Sequence, residues 1–364
     1  MITRVNFTRV IKSSEFPKMT TMNDIAKALG VSRPVVSSVF SSRTQGTVRV
    51  SDQTRQRILE KAREMGYRPN QVARSVATGK TRVVAFVGGV VGIDFVMHTL
   101  GGVMSEAEKH GYTVKVMQRT DEGWSLSNTV NTLLERRVDG VIFYHMDQPS
   151  WDELMLELRG AIPTVALSCV ASNGAAASVN SDNSLAYGQI IDMLMEQGHR
   201  RIAMITGLPG TINARAFEFE QTMRDRGLTL EPWMIQQGDW EIEKAEQVTR
   251  DLLSRPIEQR PTAICCANDE MAMGAIRTAR AMGFAIPNQI SIVGYGNTNV
   301  AHMADPPLTS IDESFHTMGK LACGKLIDVL EHGDKSDQAP DPTPMLMVPT
   351  QLIKRASTAT VATI

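Results

Sequence analysis

Two periodicities divide the chain. Between Thr20 and Val76 apolar residues recur at helical spacing; from Arg82 onward short apolar runs alternate with amphipathic stretches. In the first region, Ile25, Ala28 and Leu29 share one face of a helix over Asp24–Leu29. Thr21-Met22-Asn23-Asp24 has the form of a capping box, a hydroxyl with an acid three residues later, and starts that helix. Gly30 stands where a C′ residue with positive φ is needed. Ser32 restarts the pattern as an N-cap, Pro34 occupies the first turn, and Val35, Val36 and Val39 form the next apolar stripe. After the polar turn 41–48, Ser51 caps a third helix, Asp52–Met65, with Ile58, Leu59 and Ala62 facing inward and Gly66 ending it. Two helices joined through a short glycine-containing turn form a helix-turn-helix, whose second helix can enter a DNA major groove.

Arg68-Pro69 stops the preceding element, and Asn70 caps a short helical piece reaching Val76. A helix of that length is marginal alone in water, so it is expected to order only against a partner. Thr78-Gly79-Lys80-Thr81 resembles the end of a phosphate-binding loop, but the first glycine of that motif would fall on Arg74, which excludes a nucleotide site. Residues 1–18 are expected to be a poorly ordered extension, with Met19 and Met22 as alternative starts.

Beyond Arg82 the apolar runs predict strands at Val83–Val87, Thr113–Met117, Val138–Tyr144, Thr164–Leu167, Ala177–Val179, Arg201–Thr206, Ala263–Ala267 and Ile290–Tyr295. Helices are predicted between them at Phe95–His110, Ser125–Arg136, Leu185–Gln197, Ala214–Arg226, Glu241–Leu253 and Glu270–Met282. Strands each followed by a helix imply parallel sheets covered on both faces. This region is large for one open sheet, so two α/β lobes are expected, with a ligand cleft between them at the carboxyl ends of the strands.

The overall charge of −1 hides an asymmetry. Residues 1–82 hold 16 Lys+Arg against 5 Asp+Glu, and the remainder holds 22 against 34. A basic head on an acidic body fits a polyanion-binding unit attached to a separate domain. Cys169, Cys265, Cys266 and Cys323 lack metal-site spacing and read as buried reduced thiols. No run is long and apolar enough to span a membrane, and the N-terminus lacks the apolar core of a signal peptide, so a cytoplasmic, nucleoid-associated protein is expected.

Taken in order, the motifs D24-I-A-K-A-L-G-V-S-R-P-V-V-S, V50-S-D-Q-T-R-Q-R-I58, G66-Y-R-P-N-Q-V-A-R-S75, V138-D-G-V-I142, G198-H-R-R-I-A203, A267-N-D-E-M-A-M-G274, I290-S-I-V-G-Y295 and P307-L-T-S-I311 are specific. Residues from about 20 to 354 resemble the lactose/galactose-repressor family of transcription regulators. The resemblance implies a small all-α helix-turn-helix headpiece at 19–67, a hinge helix and linker at 68–81, and a two-lobed α/β effector and dimerisation domain at 82–355. That body is like the periplasmic sugar-binding proteins. Its first lobe is expected at about 82–170 and 298–334 and its second at about 171–297 and 335–355, with 356–364 as a tail. It further implies a homodimer on a near-palindromic operator, controlled by a small effector, with no cofactor and no metal. The tail has no leucine heptads, which speaks against a coiled-coil tetramer.

By the same resemblance, Arg33, Pro34 and Ser38 fall on base-reading positions, Arg33 suiting guanine O6 and N7. Thr21, Ser32 and Ser37 fall on phosphate-positioning ones, although Thr21 and Ser32 are also caps. Asn70, Ala73, Arg74 and Val76 belong to the hinge, where relatives wedge a leucine into the minor groove. Val76 is shorter, so a shallower wedge is expected. For the effector, the resemblance points to Asp94, Phe95, Asp182, Arg215, Trp240, Asn268, Asp269, Gly296 and Asn297. Phe95 and Trp240 are also candidates for core positions, and Asp269 for a helix cap. At 296 the family places an aspartate that accepts from effector hydroxyls, and this chain has Gly296-Asn297. That loss leaves Arg215 less balanced, so either the effector is an acidic sugar derivative or Asn297 substitutes. A transport or receptor protein is the second reading, opposed by the basic head. An enzyme is a third, but no hydrolase, zinc-protease or complete phosphate-loop motif is present.

Overall fold

The computed structural model describes residues 20–40, 50–68, 75, 79–90, 92–118, 124–169, 171, 173–208, 214–333 and 342–361. It divides into two compact units, 1–80 and 81–364.

In the head, α1 (Met22–Leu29), α2 (Arg33–Phe40) and α3 (Asp52–Glu64) enclose a core of Ile25, Ala26, Val36, Val39, Ile58 and Ala62. The capping box forms as its residues predict. Thr21 N donates to Asp24 Oδ2 at 2.9 Å and Asp24 N to Thr21 Oγ1 at 3.3 Å. Gly30 takes φ +66° and closes α1 in the left-handed region. Two inward assignments fail. Ala28 is exposed, with Ala26 buried in its place, and Leu59 is 41% exposed. A helix this short buries only a narrow arc, and the two neighbouring helices choose which.

In the body, two six-stranded sheets carry the core. The first runs in the order β11-β5-β4-β3-β1-β2, from strands β1 (Val83–Val87), β2 (Thr113–Met117), β3 (Gly140–Tyr144), β4 (Thr164–Leu167), β5 (Ala177–Ser181) and β11 (Met345–Val348), all parallel. The second runs β12-β10-β9-β8-β6-β7, from β6 (Ile202–Thr206), β7 (Ile235–Gln237), β8 (Ala263–Cys266), β9 (Ser291–Gly296), β10 (Thr309–Asp312) and β12 (Gln351–Ile353). Only β12, at its edge, is antiparallel. The first lobe adds α4 (Asp94–Lys109), α5 (Leu126–Glu135), α6 (Gln148–Leu158) and α12 (Phe315–His332). The second adds α7 (Asn183–Glu196), α8 (Ala214–Asp225), α9 (Ile242–Leu253), α10 (Asp269–Ala281) and α11 (Asn299–Met303). β7, β10, β11, β12, α6, α11 and α12 were not anticipated, the strands being too short or too polar to stand out.

Strand pairing moves the expected lobe boundaries. β5 pairs with β4, so residues 177–181 lie in the first lobe; β10 pairs with β9, so 309–312 lie in the second; and β11 returns to the first sheet. The chain therefore crosses between lobes at Ser181–Asn183, Asp312–Phe315 and Val348–Gln351. Of the segment assigned as a tail, residues 356–361 are docked against the second lobe. Ile292 N donates to Ser357 O, Ser357 Oγ to Ile292 O at 2.6 Å, and Val361 N to Gln197 O, with Ser357 fully buried. All four cysteines are reduced and buried. Burial raises the Cys169 thiol to about 11 and Cys323 to about 12, which leaves them unreactive at neutral pH.

Candidate operator-reading face and effector cleft

Ser32, Arg33 and Pro34 lie exposed at the start of α2, and Ser37 and Ser38 are half-buried one turn on. The Ser32 carbonyl accepts from Val35 N and Val36 N, so its backbone starts the helix. Ser38 Oγ donates to Val35 O at 2.9 Å, which turns its hydroxyl back onto the helix. Thr21 Oγ1 donates to Asp24 Oδ2 at 2.7 Å while capping α1. Asn70, Ala73, Arg74 and Val76 lie outside the described residues.

In the body, Arg215 sits in the first turn of α8, facing the second crossing. Its Nη2 donates to Glu313 Oε1 at 2.6 Å, its Nη1 to the Ala267 carbonyl, and its guanidinium lies 4.0 Å over the Tyr295 ring. Ser181 Oγ, at the first crossing, donates to Glu313 Oε2 at 2.9 Å. Both carboxylate oxygens of a side chain that is 4% exposed are thereby engaged. Burial, the largest single influence, acts to lower the Arg215 pKa, but Glu313 together with Tyr295 and Tyr187 outweighs it, so the net shift is upward and the guanidinium stays charged. Arg215 is thus fully balanced, contrary to the expectation drawn from residue 296. Glu313 carried no signal of its own; it lies two residues past P307-L-T-S-I311, and its side chain meets an arginine 98 residues away.

Trp240 stands at φ +67° with its ring 5.9 Å from the Arg215 guanidinium. A Cβ on Gly207 would fall 1.9 Å from Trp240 Cε2, so a side chain at 207 would displace the indole. Trp240 is also packed on the second-lobe core, as its core reading expects. In the first lobe, the Phe95 ring packs against the core and lies 5.6 Å from His145 and 5.8 Å from Phe315. Phe315, missed in the sequence, starts α12 and reaches to within 3.9 Å of a Cβ placed on Gly296.

Other assigned residues are committed elsewhere. Asp94 accepts from Asn299 N at 2.8 Å and Asn299 Nδ2 at 2.9 Å. It caps α11 from the opposite lobe, where Thr298, the local N-cap, makes no side-chain cap bond. Asp182 caps α7, accepting from Leu185 N at 2.9 Å, and its backbone joins the third crossing through Val348 O and Thr350 Oγ1. Asn268, and not Asp269, caps α10, accepting from Met271 N at 2.7 Å. Asp269 is fully buried, with Ser310 Oγ on one oxygen and Thr298 N and Oγ1 on the other. Its pKa is raised because burial outweighs those bonds. Asn297 donates from its amide to Asp312 Oδ2 at 3.1 Å and accepts from Arg355 Nη2 at 2.6 Å, so it does not stand in for the missing carboxylate. Gly296 takes φ +122°, a region side-chain-bearing residues rarely adopt, so the substitution there is one of backbone as well as of charge.

A three-helix head in one unit and, in the other, a two-sheet body with three crossings make up the architecture of a ligand-responsive DNA-binding regulator. A model described as bacterial regulatory proteins of the lacI family matches residues 21–70, and one described as a periplasmic binding protein-like domain matches 191–358. The HTH-type transcriptional repressor PurR of Erwinia tasmaniensis is 30% identical over 333 residues, 90% of this chain and 96% of the relative. CytR of Escherichia coli K12, also an HTH-type transcriptional repressor, is 28% identical over 88% of this chain and 93% of its own. The chain belongs to the LacI family of bacterial transcription regulators. The lac repressor dimer bound to operator and the anti-inducer ONPF matches its fold at a TM-score of 0.79 and 24% identity, over 94% of this chain and 100% of that one. The transcriptional regulator CelR in complex with cellobiose matches at 0.67 and 25%, over 93% and 99%.

Proposed function

We propose that this protein is a repressor, acting as a homodimer on a near-palindromic operator and released or engaged by a small hydroxyl-bearing effector held between the two lobes of the body. Arg33 and Pro34, exposed at the start of α2, read bases, and the backbone and hydroxyls of Thr21, Ser32 and Ser37 position phosphates. The observation that carries the effector half is Arg215: a part-buried cation on one lobe, its partner on a chain crossing, with the Trp240 ring 5.9 Å from its guanidinium. An aromatic face opposite a charged donor suits a sugar ring, and a neighbour in fold was solved with cellobiose. No catalytic step is required of any residue, and the protein works in the cytoplasm; among the described residues no helix is long and apolar enough to cross a membrane.

Lobe movement is the coupling device. An effector that contacts both lobes changes the balance of the Arg215–Glu313 and Asp94–Asn299 contacts, and a difference of about 1–3 kcal/mol between lobe arrangements gives a usual allosteric factor. The test selects genomic fragments on the purified full chain and then follows anisotropy of a selected fragment. Binding is expected to weaken with salt at a log–log slope of about −0.9 per neutralised phosphate, and to respond to one member of a sugar panel. Failure to retain any fragment, or binding indifferent to salt, transfers the chain to the transport or receptor reading.

A further inference from the structure

We propose that Glu313 is the specificity-determining residue of the cleft: an internal carboxylate that occupies Arg215 and restricts the effector to molecules with no carboxylate or phosphate at that end. The inference rests on the effector reading above and names the chemistry the site excludes.

Four features of the corner support it. Among the described residues, three electron-rich groups lie against Arg215, the Glu313 carboxylate, the Ala267 carbonyl and the Tyr295 ring face, with the Trp240 ring further off at 5.9 Å. An anionic ligand approaching the guanidinium would meet all three, and its own charge would find the cation already matched. Glu313 is also held in place from behind. Ser181 Oγ engages its second oxygen, and Ser181 ends β5 at the first crossing, so the carboxylate ties together two of the three crossings. The acceptor the resemblance expects on β9 is missing, since Gly296 has no side chain and a backbone that disfavours one. The carboxylate that faces the arginine instead comes from the end of β10. Finally, Asp94 stands in the first turn of α4 and Glu270 in the first turn of α10, and Glu270 feels the charges of Asp269, Asp94 and Arg215, so among the described residues further carboxylates lie near the corner. A ligand that donates hydroxyls to Glu313 adds to this arrangement; a ligand that brings an anion must displace a buried carboxylate from it.

The proposal predicts that the corner binds anions only once Glu313 is removed. Glu313→Ala leaves an acetate-sized space beside a buried guanidinium. In thermal unfolding of the full chain, sodium acetate compared with sodium chloride at equal ionic strength should raise the Tm of Glu313→Ala by about 2–4 °C. Wild type and the Arg215→Met/Glu313→Ala double variant should not respond. Acetate that stabilises wild type equally, or that leaves a folded Glu313→Ala unchanged, overturns the proposal. A second arm needs no variant. Operator release by wild type is compared for matched pairs: glucose with glucuronate, galactose with galacturonate, ribose with ribose 5-phosphate. A charged member acting at lower concentration than its neutral partner overturns the proposal; release by a neutral member alone supports it. Anisotropy on the selected DNA fragment accompanies both arms. Loss of the acetate effect with DNA binding intact removes the specificity inference and leaves the regulator reading standing.

Discussion

The head and the cleft are stabilised by bonds of different reach. In the head, the capping bonds join Thr21 to Asp24 and Ser51 to Thr54, each three residues apart. In the cleft, Ser181 meets Glu313 across 132 residues, Arg215 meets Glu313 across 98, and Asp94 meets Asn299 across 205. A local bond leaves its mark in a short motif, because both partners must stand at a fixed spacing. A long-range bond leaves none, since either partner is an ordinary residue until the fold brings the other to it. Under the function proposed above, the contrast also separates roles: the reading face would depend on a few adjacent residues, the switch on residues gathered from the whole body.

Variants that sever one class of bond should leave the other region intact. The largest effect is expected at the crossing. Arg215→Met strands the buried Glu313 carboxylate and should cost the body about 3–5 kcal/mol in denaturant unfolding, while Arg215→Met/Glu313→Leu recovers much of the loss. A double variant no more stable than the single one would mean that the pair is not the source of the cost. Next, Asp94→Ala removes two charge-assisted bonds across the cleft. It should loosen the lobes by about 1.5–3 kcal/mol and increase amide exchange in α11 without changing the exchange of α1. Arg33→Ala should weaken operator binding by about 1–3 kcal/mol and relax preference at one base pair, with the body's unfolding unchanged. Thr21→Ala should cost the head about 1 kcal/mol and be invisible to the body.

A pH experiment sharpens the same contrast. His199 is 2% exposed, bonded to Thr262 Oγ1 and the Ala359 carbonyl, and burial lowers its pKa below the ordinary 6.5. The unfolded chain therefore takes up a proton that the folded chain refuses. Stability is full above about pH 6.5 and falls as pH drops below it, until the folded value is reached. In His199→Asn that part of the acid loss should disappear from the body's unfolding curve, and the head's should be unchanged. An unchanged acid limb in the variant would assign the loss to other groups.

Most of the head was legible from its residues, because Thr21, Asp24, Gly30 and Ser51 each meet a local backbone need that only a few side chains satisfy. The alternation of apolar runs and amphipathic stretches was enough for two parallel sheets, since a strand buried on both faces must be apolar along its length. Positions 215 and 240 were singled out by the family resemblance, in A214-R-A-F217 and Gly238-Asp239-Trp240. Their partners were not. Whether Asn268 or Asp269 capped α10 turned on where Ser310 and Thr298 arrived from the far end of the sheet. Likewise, the fate of Asn297 was settled by Arg355, 58 residues on.

Through the family resemblance of its ordered motifs the sequence was sufficient for the class of protein, and through local propensity and the periodicity of burial for its two kinds of unit. It was insufficient for the lobe boundaries, for the cap that Asp94 supplies to a helix of the other lobe, and for the identity of the carboxylate beside Arg215. Those depend on which distant segments meet at three crossings, and a charge in this site acquires its meaning only from the neighbour that folding brings within about 3 Å.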